Sequence, residues 1–136
     1  MSAGYSGTPL VKKLGYKLGY RALWLDTPDD YSAWLGGLPD GVTTDRASSG
    51  TPYDLVHLFA RTLAEFDRQL PQARAALKSE GMIWVSWYKQ AAKIPTDVTE
   101  NAIRARALAG DLVDVKVCAV SDIWSGLKLV IRKALR

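Results

Sequence analysis

The 136-residue sequence predicts a single α/β domain whose open, mostly parallel sheet ends in an antiparallel hairpin. Three observations carry that expectation. The runs ALWL (22–25), YDLVHLF (53–59) and MIWVSW (82–87) are continuously apolar rather than alternating, as strands buried on both faces must be. Between two of them, Leu63, Phe66, Leu70, Ala73 and Leu77 step by three and four residues and form one helical face. Finally, LVDVKVCAV (112–120) and LKLVIRK (127–133) are joined only by SDIWSG, which is too short for a parallel crossover.

Each element carries its own punctuation. In SGTPLVKKLG, Thr8 is the expected N-cap, Pro9 the first helical position and Gly15 the residue past the end. Gly19 turns the chain into the strand Ala22 to Leu25. Asp29 or Asp30 can cap a helix from Tyr31 to Leu35, which Gly36-Gly37 stop. Pro39-Asp40-Gly41 marks a turn before a brief strand, Val42 to Asp45. RASSGTP (46–52) is a loop too short for a crossover helix. Thr62 and Glu65 match a capping box, while Pro71 predicts a kink or two abutting helices. Gly81 is expected to end that helix. Thr96 or Asp97 is the expected cap of a further helix reaching Leu108, with Gly110 behind it. The order α-β-α-β-β-α-β-α-β-β is that of a Rossmann-like sheet.

Composition narrows the function classes. A chain with 48% hydrophobic and 24% charged residues is ordinary for a soluble globular protein. It is long enough to bury a core without a disulfide or metal. The five tryptophans are expected as core and cleft-wall residues. The lone Cys118 cannot form an internal disulfide, which fits a reducing cytoplasm. The stretch MSAGYSGTPLVKKLGYK has no apolar core of signal-peptide length, and no run approaches a membrane span. Residues 1–68 carry seven Lys/Arg against eight Asp/Glu, and residues 69–136 carry eleven against six. That basic half is scattered singly rather than in a dense run, so a solvated surface is favoured over nucleic-acid binding.

Few side chains point to chemistry. His57, the only histidine, lies near the end of an apolar strand. It could face a crevice as a base, but no Ser or Cys nucleophile is close in sequence, which favours a hydrogen-bonded structural role. One His and one Cys leave no conventional zinc site. Asp26, Asp29 and Asp30 read as helix caps rather than as Mg²⁺ ligands. Cys118 is expected to pack as a small apolar group, and Lys12-Lys13 as solvated surface. The stretch SWYKQAAKIPTD (86–97) stands out. It leaves the C-terminal edge of a central strand with Ser86, Trp87, Tyr88, Lys89, Lys93 and a capped helix start. Rings plus cations at such an edge suit an anionic or planar ligand. Trp124 in the hairpin loop could close over the same edge, although a hydrophobic plug is the favoured role.

Several of these stretches resemble the class I S-adenosylmethionine-dependent methyltransferase fold. LGYKLGYRALWLD resembles the helix-turn-strand entry to that family's first motif, YDLVHLF its fourth strand and LKSEGMIWVSW its fifth, while the hairpin 112–133 is similar to its last two strands. More closely, the whole chain resembles a family of small bacterial proteins of unknown function with a reduced version of this fold. YSGTPLVKKLG, DLVHLF, GMIWVSW, PTDVTE and VDVKVCAVSDIWSGLKLVIRK carry that resemblance, and Tyr88 departs from it where proline is expected. The first family implies a cofactor loop with glycines after its first strand; here the loop is Thr27-Pro28-Asp29-Asp30. Pro28 has no N–H to donate, and the two aspartates would repel the cofactor carboxylate. Asp45 is near the position of the family's ribose-binding acid. The family's third strand and its helix have no room between Asp45 and Tyr53.

No cofactor is therefore expected. The sequence suggests a non-catalytic binding or regulatory domain, cytoplasmic and without membrane contact. The alternative is an enzyme or sensor for a small anionic metabolite or nucleotide, using Trp87, Lys89, Lys93 and His57 at the C-terminal sheet edge. Its partner would be that anion or another protein, with nucleic acid disfavoured.

Overall fold

The computed structural model describes residues 8–136; Tyr5 to Gly7, which open the YSGTPLVKKLG stretch, lie outside them, as does most of the MSAGYSG segment read for a leader. Ten regular elements follow in order: α1 (Leu10–Leu14), β1 (Arg21–Leu25), α2 (Tyr31–Leu35), β2 (Thr43–Asp45), β3 (Tyr53–Phe59), α3 (Leu63–Ala76), β4 (Leu77–Tyr88), α4 (Glu100–Ala109), β5 (Leu112–Ala119) and β6 (Trp124–Ile131). They build one sheet in the order β2-β1-β3-β4-β6-β5. β1 pairs in parallel with β2 and β3, and β3 with β4. β6 runs antiparallel to both β4 and β5. This is the expected mostly parallel sheet with a terminal hairpin.

The register explains why the central strands are apolar throughout. On one face Leu23, Val56, Leu58, Ile83, Val85 and Leu127 pack against α3 and α4 through Phe66, Ala73 and Ile103. On the other, Ala22, Trp24, Leu55, Phe59 and Trp84 pack against Leu14, Tyr31 and Leu35. Four of the five tryptophans are buried, in keeping with a core role. α1 is seated by Trp84, whose Nε1–H donates to the Leu14 carbonyl at 2.8 Å. It closes as the punctuation predicts, with Gly15 at φ +87° and its N–H on the Lys12 carbonyl.

Several boundaries differ from the expectation, each for a local reason. Pro9, not Thr8, is the N-cap of α1. Asp30 occupies the N-cap of α2 without a side-chain hydrogen bond. α3 runs unbroken through Pro71 and stops at Ala76, because Leu77 is already extended and pairs with Tyr53. The Thr62 hydroxyl accepts from the Glu65 N–H at 3.1 Å, while the Glu65 carboxylate reaches back to the Arg61 N–H at 2.8 Å. Thr99, rather than Thr96 or Asp97, caps α4 by accepting from the Ala102 N–H. Lys13 is more than solvated surface, since its ammonium donates to the Ala119 carbonyl at 3.3 Å and ties α1 to the hairpin.

Gly81 does not end a helix; it lies inside β4, where the backbone of β3 passes close. A Cβ there would sit 2.7 Å from Leu77 Cδ1 and 3.0 Å from the Asp54 carbonyl oxygen. The leucine can rotate away but the carbonyl belongs to the neighbouring strand. Gly81→Ala should therefore cost about 1–3 kcal/mol of stability. The expected reading is a lower urea midpoint with an unchanged slope.

Candidate functional site

In an open α/β sheet the ligand crevice lies at the carboxyl ends of the strands where the strand order reverses. Here that point falls between β1 and β3, at Asp26 and Phe59. The chain fills it with its own groups. Asp26 adopts a left-handed conformation at φ +56°. Its carboxylate accepts from Gln69 Nε2 at 2.7 Å, and the same amide donates to the Phe59 carbonyl at 3.0 Å. Arg61 adds Nη1 contacts to the Asp26 and Phe59 carbonyls at 3.3 and 3.4 Å. Its guanidinium lies 5.2 Å from the ring centre of Trp124. Gln69 is buried, and its Oε1 has no partner among the described residues.

Beneath this closure runs a buried hydrogen-bonded relay. Trp24 Nε1–H donates to the Tyr16 hydroxyl at 3.0 Å, Tyr16 and Tyr31 hydroxyls meet at 2.8 Å, and Tyr31 reaches His57 Nδ1 at 2.6 Å. On the far side His57 Nε2 meets the Ser86 hydroxyl at 2.8 Å. His57 is 0% exposed and faces no crevice; it stacks on Phe59 at 4.5 Å inside the protein. Burial pushes its imidazole down from the usual 6.5 to about 3, so it is neutral near pH 7. Burial likewise raises the Tyr16 phenol to about 12 and the Tyr31 phenol well above its ordinary value. Both ring nitrogens of His57 are thus engaged inside the core. Ser86, grouped by sequence with the 86–97 stretch, instead belongs to this relay and is fully buried. Removing any member would strand a buried polar atom, at about 1–3 kcal/mol.

The structure brings Trp87, Tyr88, Lys89 and Lys93 together along one open cavity of about 850 Å³, shared with Thr96, Thr99, Asn101 and Ser125. Its loop is pinned at three places. The Lys89 N–H donates to the Ile123 carbonyl at 2.9 Å, the Thr96 hydroxyl to the Arg61 carbonyl at 2.7 Å, and Asp97 accepts the Leu63 N–H at 2.8 Å. Asp97 therefore serves the N-terminus of α3 rather than its own helix. Lys93 sits at φ +57°. Neither Lys89 nor Lys93 pairs with a carboxylate among the described residues, whereas Glu100 at the same cavity shares Arg104 with Asp114. Trp124 is the plug: 3% exposed, stacked on Tyr88 at 4.3 Å and edge-on to Phe59 at 4.9 Å. Arg61, Gln69, Tyr16 and Tyr31 escaped sequence reasoning, because no local motif marks residues that meet only in the folded chain.

No group of three or more His, Cys, Asp or Glu positioned for a metal occurs among the described residues. No helix among them is long and apolar enough to cross a membrane. Cys118 is half-buried against the second core cluster, and burial pushes its thiol up, which suits a packing role.

Neither a protein-family model nor a curated protein matches the sequence. Solved structures do match the fold. A SAM-dependent methyltransferase from Aquifex aeolicus superimposes with a TM-score of 0.61 at 12% identity, covering 90% of this chain and 87% of its own. A ribosomal-protein methylase from Lactobacillus delbrueckii subsp. bulgaricus gives 0.56 at 12% identity, over 90% and 74% of the two chains. The CcbJ methyltransferase from Streptomyces caelestis gives 0.54 at 10% identity, over 90% and 86%. The fold is methyltransferase-like.

The residues present do not fit S-adenosylmethionine. In this methyltransferase-like sheet the loop after β1 offers Pro28, without an N–H, and the carboxylate of Asp26 held by Gln69. Asp45, near the position of the ribose acid, accepts from Tyr53 and pairs with Arg21 at 3.4 Å.

A titration follows from the buried imidazole. Between pH 6.5 and about 3 the unfolded chain holds the His57 proton and the native chain does not. Unfolding then takes up a proton, so this contribution is complete above pH 6.5 and is lost as pH falls. Its slope approaches about 1.4 kcal/mol per pH unit. Urea midpoints followed from pH 7 to 5 should fall more steeply for the natural chain than for His57→Gln. Parallel profiles would mean that His57 protonates freely in the fold.

Proposed function

We propose that the chain is a non-catalytic ligand-binding domain on a methyltransferase-like scaffold. Its binding site is the cavity of Trp87, Tyr88, Lys89 and Lys93. The ligand class is a small anion with a planar part, of which a nucleotide is the type. One contrast carries this reading: the crevice where the fold would seat its cofactor is crossed by contacts of Asp26, Gln69 and Arg61, whereas the neighbouring cavity stays open and presents two lysines without a carboxylate partner among the described residues.

The chemistry is that of charge plus ring. Lys89 and Lys93 supply ammonium donors to an oxyanion. Tyr88, stacked on Trp124, offers a ring held in place for a planar group. A loop pinned at Lys89, Thr96 and Asp97 loses little freedom on binding. Among the described residues lining the cavity no hydroxyl is hydrogen-bonded to a lysine or a carboxylate: Thr96 donates to the Arg61 carbonyl and Thr99 caps α4.

Thermal denaturation with ATP, ADP, inorganic pyrophosphate, S-adenosylmethionine and S-adenosylhomocysteine tests the proposal. Ligand at about a hundred times its Kd stabilises by roughly 2.7 kcal/mol. The expected result is a raised midpoint with a nucleotide, abolished in Lys89→Ala/Lys93→Ala. A shift with either adenosyl compound that survives the double substitution would overturn it, as would no shift with any anion.

A further inference from the structure

We infer that the face of the β5–β6 hairpin turned away from α3 and α4, where Lys116 and Lys128 stand beside Lys13 and Lys17, docks the phosphate backbone of a nucleic-acid duplex. These lysines are scattered along the chain, and the fold gathers them. Lys116 and Lys128 are direct cross-strand partners. The Lys13 ammonium reaches the Ala119 carbonyl of β5 at 3.3 Å. Lys13 and Lys116 both act on the Cys118 thiol, and the charge of Lys17 acts on Lys128.

The two faces of the hairpin differ in charge. Asp114 lies opposite Leu129, which belongs to the core beneath α3 and α4. A register shift between Asp114 and Lys116 then turns Lys116 to the other face, opposite Lys128, which in turn neighbours Trp84 of β4. On the helix face the acids are taken up: Asp111 holds Arg74 at 2.7 Å, and Asp114 holds Arg104 at 2.9 Å. On the opposite face none of the four lysines pairs with a carboxylate among the described residues, unlike Lys78, which holds Asp54. Asp40, whose carbonyl accepts the Gly19 N–H near Lys17, forms no ion pair among them either.

Like charges directly opposite on neighbouring strands destabilise a sheet. Burial, and after it the charges of Lys116 and Lys17, lower the Lys128 ammonium from its ordinary value. The fold carries this repulsion without an internal counter-ion, and a polyanion laid across the face relieves it. Ammonium groups take phosphate as point charges and lack the fork that reads a base edge, so docking is indifferent to sequence and driven by counterion release. A lipid surface suits the face less well. The exposed apolar side chains next to these lysines are single, Leu18 and Val115, where an interfacial element needs a continuous apolar face. None of the four lysines lines the cavity of Lys89 and Lys93, so the inference does not rest on the function proposed there.

Fluorescence anisotropy of a short labelled DNA duplex, followed across a series of NaCl concentrations, tests the inference. The logarithm of the affinity should fall against the logarithm of salt with a slope of about 3, at roughly 0.9 per phosphate contact. Two duplexes of unrelated sequence should bind alike. Lys116→Gln/Lys128→Gln should lower the slope by about 2 and weaken binding at low salt by about tenfold or more. Its thermal midpoint should not fall, since the substitution removes two opposed like charges, and that measurement shows that the variant folds. Lys89→Ala/Lys93→Ala removes the same number of charges and should leave the slope unchanged, which separates this face from the cavity. Equal loss of slope from the two double substitutions would reduce the effect to net charge and overturn the inference. A slope indifferent to Lys116 and Lys128 would overturn it too, as would binding to phosphatidylserine vesicles with none to the duplex.

Discussion

The hydrogen-bonded relay from Trp24 through Tyr16, Tyr31 and His57 to Ser86 is the constraint on which the rest of the architecture leans. It places polar atoms at the centre of three strands that are otherwise apolar. Such atoms are tolerated there only while each finds its partner. That requirement sets the rotation of Tyr31, and with it the position of α2, a five-residue helix too short to persist alone. It also sets how the segment after α1 crosses the sheet, because Tyr16 must reach both Trp24 and Tyr31. The turn from Asp26 to Asp30 is what remains between two fixed points, β1 and α2. Held between them, Asp26 turns its carboxylate toward α3.

Closure of the crevice is the consequence. Asp26, Gln69 and Arg61 exchange hydrogen bonds across the position that an open sheet leaves for a ligand, and Trp124 and Tyr88 seal the side nearest the hairpin. The Asp26 carboxylate and the Phe59 carbonyl, which could have met a cofactor, are taken up by Gln69 and Arg61, while Gln69 Oε1 stays buried without a partner among the described residues. The shortened connection after β2 acts in the same direction. With no helix in that connection, Leu25 stays partly exposed beside loop 46–52, which is stitched down through Ser49, Tyr53, Asp45 and Arg21. Among the described residues one cavity with two lysines lies beside β4 and a more apolar one beside β1. Both are bordered by loops that the native hydrogen bonds already hold.

How much of this the sequence disclosed differs by element. YDLVHLF was legible to the residue as β3, since a continuous apolar run between loop signals has few other destinations. The junction of α3 and β4 was not. Lys78, Ser79 and Glu80 suit a helix turn as well as a strand, and only the pairing of Leu77 with Tyr53 decides for the strand. Gly81 was read as a helix stop for want of knowledge that Asp54 passes 3.0 Å from its missing Cβ. The grouping of Trp87, Tyr88, Lys89 and Lys93 was visible because those residues are adjacent along the chain.

By itself, then, the sequence determined the α/β class, the parallel core and the antiparallel end. Apolar periodicity and connection length act within a few residues, and they suffice to choose strand, helix or hairpin. Only the tertiary structure decided what each polar side chain does. His57 meets partners 26 and 29 residues away, and Asp26 meets one 43 residues away. Such contacts exist only after the sheet has brought the ends of separate strands together, and no local pattern encodes which of them will meet.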